Sequence, residues 1–332
     1  MGALAGAASA VVWGISLAIY QPRMEPTGFW IDSSTGQAYP QIASNNTYWP
    51  RDIRQLGILL AVAAVILLGR ARWPAVVAGL VLGGVWFSAD LWLDRLDVAG
   101  AANAGWLAAS AVVGFAVAAA VGARLSSGPP RPRAARLAAT VVAVLAAVTM
   151  LVETPWDEPV TDAADVRIEN MLTVVKLVLV LAAAAAAVGL ASLRAARIGR
   201  MSLTIAAAVG AVWALATFAT VDLFSAMALA VAGAVGVAAA DLAWDRLFGV
   251  LMALAIAAFP GVLVFYFGGV IIGQAMTSIA ANPPVNAADT DFSFALGGLV
   301  LAAYFGAVVE AVRQWPRPAT AVRSETGVFS EA

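Results

Sequence analysis

Apolar runs of about twenty residues recur along this chain from its first residues to near its last. About 20 residues of helix cross a hydrocarbon core of roughly 30 Å. Of the 332 residues 62% are hydrophobic and 12% charged, about half the charged share of a soluble domain. So few charges cannot clothe a water-facing surface. Runs such as residues 177–190 do not alternate apolar with polar, so a transmembrane β-barrel does not fit. The sequence therefore predicts an all-α, polytopic transmembrane bundle of about ten spans, with the lipid bilayer as its first partner.

The predicted spans cover residues 3–20, 56–68, 75–93, 101–121, 138–152, 171–193, 203–220, 224–242, 248–270 and 294–312. The first is read as a retained span. It lacks a basic leader, and no small-residue cleavage site precedes Gln21. Residues 1–125 form a first membrane half with a long outer loop at 21–55. Residues 126–136, SSGPPRPRAAR, read as a cytoplasmic Pro/Arg linker. Residues 137–314 hold the remaining spans, and 315–332 read as a disordered cytoplasmic tail.

Orientation follows from the basic residues in the loops. Thirteen fall on one side of the predicted topology and six on the other. The arginine-rich side is expected to face the cytoplasm, which puts both termini there. Lys176 is the only lysine beside 18 arginines, and Ala, Val and Gly dominate. That bias is expected of a GC-rich bacterial genome, so the expected location is a bacterial cytoplasmic membrane.

The chain has no cysteine and no histidine. Disulfides, thiolate metal sites, haem and histidine acid–base chemistry are excluded. No metal or other cofactor is expected, and a net charge of −1 argues against a nucleic-acid partner. No phosphate loop, dinucleotide fingerprint or nucleophile elbow is present, so no catalytic residue is assigned.

Residues 89–96 read ADLWLDRL and residues 240–247 read ADLAWDRL, six of eight positions matching at a separation of 151. Both copies are expected to close a helix. At this offset the second to fifth spans fall near the seventh to tenth, which points to a five-plus-five inverted repeat, a recurring plan of secondary transporters. In each copy two aspartates lie one turn apart on a shared face, and the following arginine is expected to fold back on them.

Ionisable groups inside spans are candidates for a substrate or ion pathway. Lys176 falls about a turn and a half inside the sixth predicted span, placed to snorkel outward or to pair with Asp90 or Asp222. Asp90 and Asp241 are the aspartates of the paired motif. Pro260 and Gly261 fall near the centre of the ninth span, where a broken helix would free backbone groups. Residues 268–286 read as re-entrant or interfacial, with Gln274 as a polar group. Gly79 and Gly83, and likewise Gly269 and Gly273, permit close helix contact. Glu310 is expected to pair with Arg313.

Trp13–Gly14 in the first span, together with chain length and span count, resembles drug/metabolite exporters. The 35-residue outer loop departs from that family's compact loops. The expected function is a small-solute transporter or permease. The alternative is a membrane subunit or scaffold of a larger complex, offering the aromatic 21–55 loop to a protein partner. An intramembrane enzyme is the remaining class.

Overall fold

A computed structural model of the chain describes residues 2–26, 28–44, 46–125, 127–154, 162–193, 222–286 and 289–315. These residues form a helical bundle, and seven helical segments are long and apolar enough to cross a membrane. The architecture fits a multi-pass membrane protein. The seventh predicted span, 203–220, and the tail lie outside the described residues.

Helix α1 (Gly2–Ile15) runs through one π-helical turn, Ser16–Tyr20, into α2 (Gln21–Met24). A hairpin of β1 (Phe29–Ile31) and β2 (Ala38–Pro40) follows, antiparallel, with Trp30 opposite Tyr39. Then come α3 (Trp49–Leu68), α4 (Trp73–Asp94), α5 (Ala101–Arg124), α6 (Pro132–Thr149) and α7 (Ala163–Ser192). The last three are α8 (Leu223–Ala239), α9 (Trp244–Ala280) and α10 (Phe294–Gln314).

Helix α3 is the axis of the bundle. It packs against α1, α4, α5, α6, α7 and α10. Sixteen of its 20 residues are buried, so it meets protein on nearly every side. Its early charges therefore need no aqueous surface if they find partners. By contrast α5 and α9 lie at the flanks, with Trp106, Val113, Ile256 and Phe259 exposed. Such apolar flanks are what lipid covers.

Three boundaries differ from the sequence reading for physical reasons. Helix α3 begins at Trp49, not residue 56, because Pro50 sits in its first turn, where a missing N–H costs nothing. Helix α7 begins at Ala163 because Asp162 caps it, accepting from the Ala164 and Asp165 amides at 2.7 and 3.3 Å. Helix α6 begins at Pro132, so the second half of the 126–136 linker is helical.

Helix α9 corrects two expectations. It is continuous through Pro260 for 37 residues, so residues 268–280 are the end of a long helix and no re-entrant stretch. It stops at Ala281, whose φ of 59° is left-handed. The glycine pairs make close contacts. A Cβ at Gly273 would come within 2.7 Å of the Asp291 backbone oxygen, and one at Gly269 within 2.4 Å of the Phe292 ring. At Gly79 it would meet the Val62 carbonyl at 3.1 Å.

The two ADL…DRL copies differ locally. Residues 89–94 close α4, whereas 240–247 span the break between α8 and the start of α9. The second copy therefore does not close a helix as expected.

Candidate functional site

The early turns of α3 carry Arg51, Asp52, Arg54 and Gln55, all at most 1% exposed. Burying a charge unpaired in a low-dielectric interior is very costly, so each must be answered by a partner. The partners come from α1, α2, α4, α9, α10 and the segment joining the last two.

Arg54 faces the N-terminal side of the bundle. Its Nε donates to Asp90 Oδ1 at 2.7 Å, and its NH1 donates to Gln21 Oε1 at 2.7 Å. Its NH2 lies 2.5 Å from Asp94 Oδ2. Trp13 Nε1 also donates to Asp90 Oδ1, at 2.7 Å. The expected fold-back of Arg95 onto the aspartates is not found. Arg54 occupies that place, and Arg95 instead donates to the Ile279 carbonyl at 3.3 Å.

Arg51 faces the C-terminal side. Its NH2 donates to Asp291 Oδ1 at 2.7 Å, its NH1 donates to Thr277 Oγ1, and its guanidinium lies 4.7 Å from the Tyr48 ring centroid. Tyr48 in turn donates to the Pro283 carbonyl. Asp52 accepts from Ser293 Oγ and from the Ala295 amide, both at 3.0 Å. It thus places a carboxylate at the N-terminus of α10, where the helix dipole favours it. Asn282 Nδ2 donates to Asp94 Oδ2 at 3.3 Å, closing the ring between the two sides.

At the rim, Gln21 Nε2 donates to Glu25 Oε1 at 2.8 Å. Burial pushes the Glu25 carboxyl up to about 7, and the Gln21 hydrogen bond offsets only part of that rise. Burial also raises the Tyr48 phenol, which therefore stays a neutral donor.

A second cluster lies at the opposite end. Arg313 grips Asp241 with two contacts, at 2.7 and 3.2 Å. Arg136 reaches Glu310 at 2.7 Å and Asp241 at 3.3 Å. The expected Glu310–Arg313 contact is present but long, at 3.9 Å. Arg246 donates to the Arg313 carbonyl. These side chains are 12–30% exposed, against 0–6% for the ion-paired groups of the first cluster.

The residues expected to share one pathway are thus distributed. Asp90 is in the first cluster and Asp241 in the second. Lys176 is buried on α7, 13 residues from that helix's start, with Glu153 and Glu169 the carboxylates acting on it. Asp222, its other suggested partner, caps α8 by accepting from the Ser225 amide at 2.7 Å. Gly261 packs against Leu301 and Phe305 of α10, while Pro260 and Gln274 are exposed on α9.

The sequence reading missed Arg51, Asp52, Arg54 and Asp291. A signal was present: in WPRDIRQL the proline marks a helix start, and Arg51 and Arg54 then fall three residues apart on one face. Comparison with family models, with curated proteins and with solved structures returns no match.

Proposed function

We propose that the protein is a small-solute transporter of a bacterial cytoplasmic membrane, with ten spans in two inverted halves of five. In this reading the Asp241 cluster and both termini face the cytoplasm, as the arginine-rich loops suggest. One observation carries the proposal. Each end of the bundle has an ion-pair cluster, and each cluster joins helices before residue 150 to helices after residue 222. At the outer end the joint is Arg51–Asp291, supported by Asp52 on α10. At the inner end it is Arg136 with Asp241 and Glu310.

Two breakable joints at opposite ends are what alternating access requires. Opening one side separates its charges while the other stays closed. Helix α9 passes both joints, and Pro260–Gly261 near its centre supplies the hinge, since proline deletes one backbone hydrogen bond there. Lys176, Asp90 and Asp241 are the polar groups we assign to the pathway.

The test is uptake of labelled amino acids, sugars and organic cations into proteoliposomes. Arg51→Asp should abolish uptake and Arg51→Asp with Asp291→Arg should restore part of it. Undiminished uptake in the single variant rejects Arg51–Asp291 as a gate.

A second reading, a membrane scaffold, is favoured by the hairpin. Phe29 and Ile31 are each 68% exposed on one face of it, an apolar patch able to meet a protein partner. Phe29→Ser together with Ile31→Ser, which removes the exposed apolar pair, should abolish capture of such a partner and leave transport intact.

A further inference from the structure

The Arg54 site holds more negative than positive charge. Arg54 is one cation, and it is shared by two carboxylates, Asp90 and Asp94, all three essentially without solvent exposure. No other cation is an ion-pair partner of either aspartate among the described residues. The charged groups that face this site from the packed elements are Arg54 from α3, Asp94 from α4 itself and Glu25 beyond α2. Helix α1 contributes the neutral Trp13, and the segment after α9 the neutral Asn282.

The oxygens of Asp90 are unequal. Oδ1 accepts from both Trp13 and Arg54, while Oδ2 is buried with no protein partner. Trp86, one turn earlier on α4, packs edge-on against Trp13 at 5.5 Å. Its indole N–H is also buried and has no acceptor. A bare carboxylate oxygen in such surroundings is far more costly than a neutral hydroxyl lacking one acceptor. A metal ion would need several oxygen ligands, and among the described residues no group of three acidic or other ligating side chains could hold one.

We propose that Asp90 is a proton-binding site, carrying a proton on Oδ2 in this closed form and releasing it when the site opens to water. The step balances simply. An O–H bond of a hydronium ion breaks and leaves water as an O–H bond forms on Oδ2, the charge of the Arg54–Asp90–Asp94 group goes from −1 to 0, and release to water reverses both. With Asp90 neutral, Arg54 keeps a full ion pair with Asp94 alone. The inference rests on the transporter reading only for its use, which would be proton coupling of solute movement. The binding site itself stands without it.

The test is infrared difference spectroscopy of the full-length protein in nanodiscs, titrated from acid to alkaline buffer in sodium-free medium and again with sodium added. In a Glu25→Gln background, which removes the other carboxyl raised to about 7, the protein should show a buried carboxyl C=O band at neutral pH that disappears on alkalinisation. Asp90→Asn should delete that band, and Asp94→Asn, which leaves Arg54 with Asp90 as its one carboxylate partner among the described residues, should move the loss of the band to lower pH. A missing band, or one that survives Asp90→Asn, overturns the proposal. So does a band abolished by sodium at constant pH, which would mark a metal-cation site. Should Asp90→Asn fail to fold, Trp13→Phe serves instead, because loss of the donor to Oδ1 should shift the band without removing it, and an unshifted band overturns the assignment. A positive band with no solute uptake would sink the transporter reading and leave the proton site intact.

Discussion

The Arg54 guanidinium and the Asp90 carboxylate, 2.7 Å apart and both without exposed side-chain surface, join the central helix α3 to α4. The pair illustrates how a chain with few charges can bury several. Removing Arg54 alone should be severe, because Asp94 would remain a buried charge without a cation and Asp90 Oδ1 would lose a donor. Breaking a buried pair from one side costs about 3–5 kcal/mol. Arg54→Leu should therefore lower the unfolding free energy by about that much, read by reversible denaturation in mixed micelles. Adding Asp90→Asn and Asp94→Asn should return most of the loss, since the uncompensated charge goes with the cation. No recovery in the triple variant would mean that Arg54 acts through its packing.

Glycine substitutions separate close packing from helix propensity. A Cβ at Gly273 would lie 2.7 Å from the Asp291 backbone oxygen, whereas one at Gly236 meets nothing within 4 Å. Gly273→Ala should push the 291–293 segment away and weaken Arg51–Asp291, costing about 1–3 kcal/mol. Gly236→Ala should instead stabilise, by up to about 1 kcal/mol, because alanine is the better helix former. Thermal unfolding in detergent compares the two directly. Equal behaviour would show that the α9–α10 junction is not tightly packed.

The coarse architecture was legible because hydrophobic run length is dictated by the bilayer and survives any tertiary arrangement. The described helices begin or end where caps and prolines decide, and there sequence and structure differ. Taking the first turns of α3 as loop hid Arg51 and Arg54, because a charged stretch beside an apolar run normally lies at the water interface. Only the packing of α1, α4 and α10 around α3, with Thr277 of α9 accepting from Arg51, turns that stretch inward. Asp90 was legible as an intramembrane charge, but its partner was not. Arg95 follows the motif in sequence, while Arg54 lies across a helix interface that no local spacing reveals. Pro260 misled in the opposite sense, since a helix can run through a proline when neighbouring turns absorb the lost hydrogen bond.

The two charge clusters should respond differently to salt. Arg136, Asp241, Glu310 and Arg313 are partly exposed, and exposed pairs are screened and contribute little. Asp241→Asn should cost less than about 1 kcal/mol in low salt and nothing measurable in high salt. The wild type should lose the same increment on adding salt. Asp291→Asn, facing the buried Arg51, should cost several kcal/mol at every ionic strength. Melting curves across a potassium chloride series check both, and a salt-sensitive Asp291→Asn effect would mean that the Arg51 site admits water.

Glu25 gives the bundle a dependence on pH near neutrality. Its carboxyl is raised from 4.5 to about 7, first by burial, with the charges of Asp94 and Asp97 adding to the rise and Gln21 and Arg54 opposing it. An acid whose folded value is raised binds its proton more tightly when folded. Its contribution to stability is therefore complete below about 4.5 and is lost as pH rises through about 7. Glu25 is partly exposed at the rim, so the loss should be on the order of 1–2 kcal/mol once solvent screening is allowed for. Glu25→Gln keeps a hydrogen-bonding group for Gln21 and cannot ionise. It should leave stability at acid pH nearly unchanged and remove this part of the decline towards alkaline pH. The measurement is the unfolding midpoint of both forms in the same detergent at several pH values. Parallel curves for wild type and Glu25→Gln would place the titrating group elsewhere and leave Asp90 as the next carboxylate to substitute.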